Sequence, residues 1–159
     1  MSEVDVESVP TGFVKIPQMR TFTDTLQPIY RRREGDRVSV GLVVAPQHSN
    51  SMGICHGGAL MTLADIAAAT GVNVARGTRS GTPTVNLSMD FINAARIGQW
   101  VQADIHLVTI KRRFGFCSGV ISHSDDVLAR FNGTFYLPDH KGMLKDGAPG
   151  DGVPVVPGF

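Results

Sequence analysis

His56-Gly57-Gly58 lies directly before a long apolar segment and could bind a negatively charged oxygen. Glycines at such a point expose backbone N–H groups and allow a ligand to approach closely. If the segment is a helix, the positive end of its dipole also lies there, which suits the stabilisation of a developing oxyanion. The alternative interpretation is a tight loop-to-helix junction that simply requires small residues.

Asp65 is the only ionisable residue between Gly57 and Val74. A buried and unpaired carboxylate is costly, so Asp65 needs either polar partners from elsewhere in the fold or a functional role. Within the helix, only Thr62 could offer it a hydrogen bond from one turn away. The alternative interpretation is a structural aspartate that bonds to backbone or water in a neighbouring loop.

Other chemistries have weaker support. Cys55 stands beside His56, but adjacent residues usually project in different directions and seldom form a nucleophile–base pair. His48 and His56 could ligate a metal ion, yet no third ligand occurs at a suitable spacing, so no metal site is predicted. With Cys117 the chain has 2 cysteines, which are too few for a disulfide scaffold. The sequence contains neither a Gly-x-Ser-x-Gly elbow nor a phosphate-binding loop.

The composition is that of one ordinary domain. The 159 residues include 15 Lys plus Arg and 14 Asp plus Glu, for a net charge of +1. This balance argues against a nucleic-acid-binding protein that depends on a strong overall positive field. Residues 1–10 contain acidic but no basic side chains, which is unlike a secretory signal. The small number of cysteines predicts a reduced, cytoplasmic protein.

Residues 57–74 predict one long helix, because alanine and leucine dominate and no proline intervenes. The segment is apolar nearly all round, so the helix must be buried in a protein core or cross a membrane. A charge at the helix centre costs roughly 2.5–3.5 kcal/mol in a membrane, and the many small residues suit close packing against a sheet. We therefore expect no membrane span.

Segments on both sides of this helix alternate between apolar and polar residues, which predicts β-strands. In the strand after the helix, the apolar face holds Val85, Leu87, Met89 and Phe91, and Thr84 belongs to the polar face. The predicted order is one strand, the helix and then four strands in a meander. A curled antiparallel sheet wrapped around one central helix satisfies this order, which is the α+β hotdog fold. The strands are expected at residues 36–45, 84–91, 99–110, 114–122 and 127–137.

The stretch Asn50-Ser-Met-Gly53-Ile-Cys-His56-Gly57-Gly58-Ala-Leu-Met-Thr-Leu-Ala-Asp65 resembles the hotdog-fold acyl-CoA thioesterases of the phenylacetate-pathway (PaaI-like) type. The family pattern is an Asn, a Gly and then His-Gly-Gly, with an acidic residue in the middle of the central helix. Residues 84–98 are similar to the family's next strand and its exit turn. The resemblance covers residues 36–137.

This resemblance implies a role for each matching position. Asp65 would be the catalytic carboxylate, acting as a general base on water or as a nucleophile. The Gly57 N–H would stabilise the oxyanion, and Asn50 would orient the thioester or the attacking water. Thr84 matches a position at which the family often places a hydroxyl that helps to position water. His56, which mainly shapes the loop, and Gly58 are the predicted substrate-binding residues before the helix. Separately from the resemblance, Met61, Met89 and Phe91 are candidate pocket walls, for which core packing is the alternative.

A basic cluster of Lys111, Arg112 and Arg113 falls at the predicted turn between two long strands. Related thioesterases often bind the nucleotide phosphates of coenzyme A at that turn, and three cations suit phosphate groups. The alternative is an ordinary solvated hairpin tip. A second arginine cluster, at residues 31–33, has no matching family position and is interpreted as surface.

The predicted function is an acyl-CoA thioesterase for a medium-chain or aryl acyl group, without a metal or redox cofactor. The alternative is a non-catalytic acyl-CoA binding or sensing protein with the same fold. A helix rises 1.5 Å per residue, so Gly57 and Asp65 would be ~12 Å apart along its axis, too far to serve one thioester. Two chains related by a two-fold axis could complete a shared site, and the family resemblance implies this homodimer, often paired again into a tetramer.

Three regions are predicted along the chain. Residues 1–35 form an N-terminal extension, residues 36–138 form the hotdog domain, and residues 139–159 form a tail that is rich in glycine and proline.

Overall fold

The computed structural model describes residues 6–77 and 81–138. In this part of the chain one α-helix packs against a curled antiparallel sheet, which confirms the predicted hotdog arrangement. The predicted helix and strands are all present, and their ends differ from the prediction by no more than 2 residues. The elements are β1 (Val14–Lys15), β2 (Tyr30–Glu34), β3 (Arg37–Val43), α1 (Gly57–Arg76), β4 (Thr84–Phe91), β5 (Trp100–Lys111), β6 (Phe114–His123) and β7 (Asp126–Tyr136), with short 3₁₀ turns at Phe22–Leu26 and Pro46–His48.

Helix α1 begins at Gly57 and ends at Arg76. Gly77 closes it with a φ of +68°, a left-handed conformation that glycine adopts without a steric penalty. By length and composition alone α1 could cross a membrane, but in this fold it packs against strands β3 to β7. Its buried residues form much of the core: Leu60, Leu63, Ala64, Ala67, Ala68, Gly71 and Val72.

The sheet has the strand order β1-β2-β3-β5-β6-β7-β4 and is antiparallel throughout. The prediction of four successive strands in a meander is wrong for β4. Strands β5, β6 and β7 form a meander, whereas β4 pairs with β7 at the far edge, with Thr84 opposite Phe135 and Phe91 opposite Ala129. The physical reason is that α1 crosses the sheet, so that β4 begins at the opposite edge. The chain then returns, and β5 pairs with β3.

A β-bulge at the start of β4 changes which residues face the helix. Strict alternation predicts Val85 on the apolar face and Thr84 on the opposite face. In the structure Thr84 pairs with Phe135 and Asn86 pairs with the adjoining Thr134, so Val85 is the extra residue. The Thr84 hydroxyl points towards α1, and Val85 is 58% exposed. The alternation is therefore wrong at these two positions, because an inserted residue re-aims the side chains that precede it.

Part of the segment predicted as an N-terminal extension belongs to the sheet, because β1 pairs with β2 and β2 pairs with β3. Further upstream, Glu7 ties the chain to the sheet. Its N–H donates to the Gly98 carbonyl, and its carboxylate accepts the Trp100 N–H at 3.0 Å. The arginine cluster at residues 31–33 lies on β2 and is at least partly exposed. The predicted tail, residues 139–159, lies outside the described residues.

Candidate active site

Asp65 lies in the middle of α1 and is partly buried. The Thr84 hydroxyl donates a hydrogen bond of 2.7 Å to its Oδ1 atom. Thr62 is not the partner, because its hydroxyl donates to the Gly58 carbonyl of its own helix at 2.8 Å. Within the described residues, Oδ2 of Asp65 accepts no hydrogen bond. The carboxylate is thus fixed through one oxygen and open to water or substrate through the other.

Among the described residues, the first turn of α1 leaves one backbone amide without an acceptor. The ring Nδ1 of His56 caps the helix by accepting the Gly58 N–H at 2.8 Å. The N–H groups of Ala59 and Leu60 donate to the His56 carbonyl at 2.9 and 3.3 Å. The Gly57 N–H has no acceptor in the part of the chain that the structure describes. Because a helix N-terminus carries partial positive charge, this donor is suited to an oxyanion.

Asn50 organises the loop before α1. Its side-chain oxygen accepts the Met52 N–H at 2.9 Å, and its backbone N–H donates to the Ile54 carbonyl at 2.9 Å. Gly53 turns the loop with a φ of +73°, and its N–H donates to the Asn50 carbonyl. The Asn50 side-chain amide nitrogen has no acceptor among the described residues. This nitrogen is therefore the part of Asn50 that could orient a thioester or water.

His48 and the β4–β5 connection hold the start of the helix in place. The His48 carbonyl accepts the His56 N–H at 2.7 Å, and the Ala95 carbonyl accepts the Cys55 N–H at 2.8 Å. The buried His48 ring accepts the Ala45 N–H through Nδ1. Burial lowers the pKa of His48, which favours the neutral ring that this hydrogen bond requires. In the sequence His48 stands out only as a candidate metal ligand, so this supporting role has no sequence signature.

Strand β4 contacts α1 at two widely separated points. At its start Thr84 bonds to Asp65, and at its end the Phe91 ring packs against Gly57. A Cβ atom placed on Gly57 would lie only 3.1 Å from Cζ of Phe91. The strand therefore runs antiparallel to α1, from the carboxylate to the free amide.

The predicted pocket walls lie on two different elements. On β4, Met89 lies between the two contact points together with Leu87, and both are partly buried against the core. They alternate with polar residues, so they share a face with Phe91, and we call these three residues the β4 apolar face. Met61 is partly exposed on α1.

Within one chain the predicted catalytic residues, together with two loop residues predicted to bind substrate, form two separate groups. Asp65 and Thr84 make the carboxylate half-site. The amide half-site, at the start of α1, consists of Asn50, His56, Gly57 and Gly58. Because α1 is continuous, the two half-sites are ~12 Å apart along its axis. A reacting carbonyl must lie about 3 Å from the oxyanion donor with the base or its water beside it, so one chain does not bring them together.

Comparison with known proteins identifies the family. The model of the thioesterase superfamily matches residues 52–130. A curated protein of Pseudomonas aeruginosa, named "Putative esterase PA0474", is 30% identical over 132 residues, which cover 82% of this chain and 98% of that protein. The chain belongs to the thioesterase superfamily.

Solved structures have the same fold. Thioesterase superfamily member 2 from zebrafish aligns with a TM-score of 0.68 and 22% identity, over 75% of this chain and 88% of that chain. A single-residue variant of the phenylacetic acid degradation protein PaaI from Thermus thermophilus aligns with a TM-score of 0.63 and 25% identity, over 69% of this chain and 93% of that chain. The predicted family is confirmed, and this member of the thioesterase superfamily is a thioester hydrolase.

The cysteines of this thioesterase superfamily member are poorly placed for nucleophilic chemistry. Burial raises the pKa of the Cys55 thiol to about 11, and its Sγ lies 3.9 Å from the His56 carbonyl oxygen rather than against the ring. Burial also raises the pKa of Cys117 to about 11, with a contribution from the negative charge of Asp65. In residues 6–77 and 81–138, no three His, Cys, Asp or Glu side chains form a metal-binding cluster.

The basic cluster, Lys111, Arg112 and Arg113, lies at the exposed turn between β5 and β6. Next to this turn, a Cβ atom on Gly115 would lie 2.7 Å from the side chain of Val72, near the C-terminal end of α1. Val72 is ~22 Å from the start of α1 at 1.5 Å per residue. In one chain the basic cluster therefore lies far from the amide half-site.

Proposed function

We propose that this protein hydrolyses acyl-CoA thioesters that carry a medium-chain or aryl acyl group, and that it acts in the cytoplasm. The observation that supports the proposal most strongly is the carboxylate half-site, in which Thr84 fixes one oxygen of Asp65 and leaves the other open. The free Gly57 N–H supplies the second requirement of thioester hydrolysis, a donor for the oxyanion.

Two routes are open to Asp65. As a general base, it takes a proton from water while the water oxygen attacks the thioester carbonyl carbon. As a nucleophile, its own oxygen attacks that carbon and forms an anhydride, which water then cleaves. In both routes the carbonyl oxygen becomes negative beside the Gly57 N–H, the carbon–sulfur bond breaks, and the thiolate takes up a proton. The products are the free acid and coenzyme A.

The choice of acyl group rests on the β4 apolar face. Leu87, Met89 and Phe91 extend from the carboxylate to the free amide, so an acyl chain bound along them would contact hydrocarbon rather than polar groups. Binding sites for apolar ligands are lined in this way, with few polar groups at the reacting end. The basic cluster at residues 111–113 would bind the phosphates of coenzyme A.

The active site in this proposal is shared by two chains. A two-fold axis would place the amide half-site of one chain opposite the carboxylate half-site of its partner. The free edge of β4 is the surface that supports this arrangement, because an unpaired strand edge is a template for pairing with another strand. Val85 lies on β4 and Ile92 directly follows it. Each is 58% exposed, and a partner chain would cover both. Two such homodimers would associate into a tetramer.

A hydrolysis assay over a panel of acyl-CoA thioesters, with free thiol as the readout, tests the proposed function. The Asp65→Asn variant keeps the side-chain volume but removes the base and nucleophile, so turnover should fall at least ~100-fold. Acyl-CoA binding, measured by calorimetry, should persist. The matched control is Asp125→Asn, at the exposed β6–β7 turn, which should keep wild-type turnover. A protein that binds acyl-CoA but releases no thiol from any member of the panel would instead be a non-catalytic acyl-CoA binding protein.

A further inference from the structure

Phe91 lies against the atom next to the proposed oxyanion donor. Its Cζ and Cε1 atoms would be 3.1 and 3.3 Å from a Cβ atom on Gly57, which is closer than most side-chain contacts. The ring is nevertheless 53% exposed, although it is one of the larger apolar side chains of the chain. It therefore packs on the start of α1 with one edge and leaves the rest open to a ligand.

The position of this ring restricts the space beside the reaction centre. The Gly57 nitrogen is ~1.46 Å from its Cα, and a bound acyl oxygen would lie ~2.9 Å from that nitrogen. With the acyl chain along the β4 apolar face, as proposed above, the carbon next to the thioester carbonyl would occupy the region that the Phe91 ring borders. An unbranched carbon fits beside a flat ring edge, whereas a branched carbon projects a second group towards it.

We propose that Phe91 is a specificity-determining residue that excludes acyl groups branched at the carbon next to the carbonyl. This inference rests on the proposed function, because it assumes that the oxyanion binds at Gly57. It also gives one reason for a glycine at position 57, since a Cβ atom there would press against the edge of the ring. Within the proposed substrate range, straight-chain acyl groups and aryl groups joined to the carbonyl through a CH2 group are then preferred.

Two isomeric substrates test this inference. Hexanoyl-CoA and 2-ethylbutanoyl-CoA contain the same atoms and differ only in branching beside the carbonyl. The ratio of kcat/KM for the branched over the straight isomer should rise at least ~10-fold in Phe91→Ala, the lower end of what one hydrocarbon group contributes to discrimination. Phe91→Leu, which keeps an apolar side chain in case the alanine variant does not fold, should give a smaller rise.

The matched control is Phe116→Ala. Phe116 is another half-exposed phenylalanine, 45% exposed, but it lies on β6 between buried Gly115 and Cys117 and so faces away from α1. In Phe116→Ala, the ratio of kcat/KM for the branched over the straight isomer should equal that of the wild type. An unchanged ratio in both Phe91 variants, with the wild type active on hexanoyl-CoA, would overturn the inference and leave the proposed function intact. A wild type that is inactive on the whole acyl-CoA panel would overturn both.

Discussion

The Thr84 hydroxyl and the Asp65 carboxylate are joined by a hydrogen bond of 2.7 Å, although the two residues are 19 positions apart in the chain. The bond depends on the bulge at Val85, which turns Thr84 towards α1. A strand at the sheet edge thereby positions the single acidic side chain of the central helix. Because only Oδ1 is engaged by the residues that the structure describes, the hydrogen bond orients the carboxylate without blocking it.

The first prediction concerns this hydrogen bond. Thr84→Val keeps the branched shape that a strand favours but removes the donor, so kcat should fall by about 10-fold or more as the carboxylate loses its orientation. Thr84→Ser restores a hydroxyl and should recover most of the activity. Steady-state kinetics on one good substrate provides the measurement. Equal kcat values in the valine variant and the wild type would show that the hydroxyl has no catalytic role.

A second prediction distinguishes the loss of the Gly57 N–H donor from the steric effect of a side chain at position 57. Gly57 is the first residue of α1, where proline is well tolerated, and His56 has the extended conformation (φ −65°, ψ 135°) that proline requires before it. Gly57→Pro removes the donor, and Gly57→Ala keeps it while adding the same Cβ contact with Phe91. The proline variant should lose at least ~100-fold in kcat, as expected for an oxyanion donor, and far more than the alanine variant. Equal losses would mean that only the contact matters.

The cysteines give a third prediction. Because burial raises the pKa of both thiols to about 11, the folded protein should react slowly with thiol reagents at pH 8 and rapidly once unfolded. Unfolded thiols titrate near 9.0, so as the pH rises from 9 the unfolded state loses protons first, and stability should decline up to about pH 11. Cys55→Ala should keep wild-type hydrolysis. Loss of activity in Cys55→Ala would indicate that the Cys55 thiol is the nucleophile.

A fourth prediction concerns the basic cluster. If Lys111, Arg112 and Arg113 bind the phosphates of coenzyme A, replacing all three with alanine should raise KM for acyl-CoA with little change in kcat. Short thioesters without the nucleotide should be hydrolysed as before. The same change in KM for both kinds of substrate would show that the cluster does not recognise coenzyme A.

The sequence predicts α1 and its start well, because a run of alanine and leucine without proline is a local signal and His56-Gly57-Gly58 marks the helix boundary. The strands are equally local in origin, since apolar and polar residues alternate along each of them. The resemblance to the thioesterase family predicts Thr84 as a site residue. Strict alternation alone would place its side chain on the face that points away from α1.

Other features depend on contacts that are distant in the chain. The pairing of β4 with β7 follows from the path of α1 across the sheet, which no single segment encodes. The bulge lies between Thr84 and Asn86, none of whose residues is glycine or proline, and Pro83 before it also fits an ordinary strand start. The contact between Phe91 and Gly57, and the support of His56 by the His48 carbonyl, arise only when the strand and the loop are packed on the helix.

The shared active site is tested most directly by mixing two inactive variants, Asp65→Asn and Gly57→Pro, after unfolding and refolding them together. Each mixed dimer would contain one site with an intact Asp65 and an intact Gly57, contributed by different chains, and one site that lacks both. With random pairing half the dimers are mixed, so activity should recover to about a quarter of the wild-type value. A mass tag on one variant verifies that the chains have exchanged. Background activity in a sample with verified exchange would contradict the shared site.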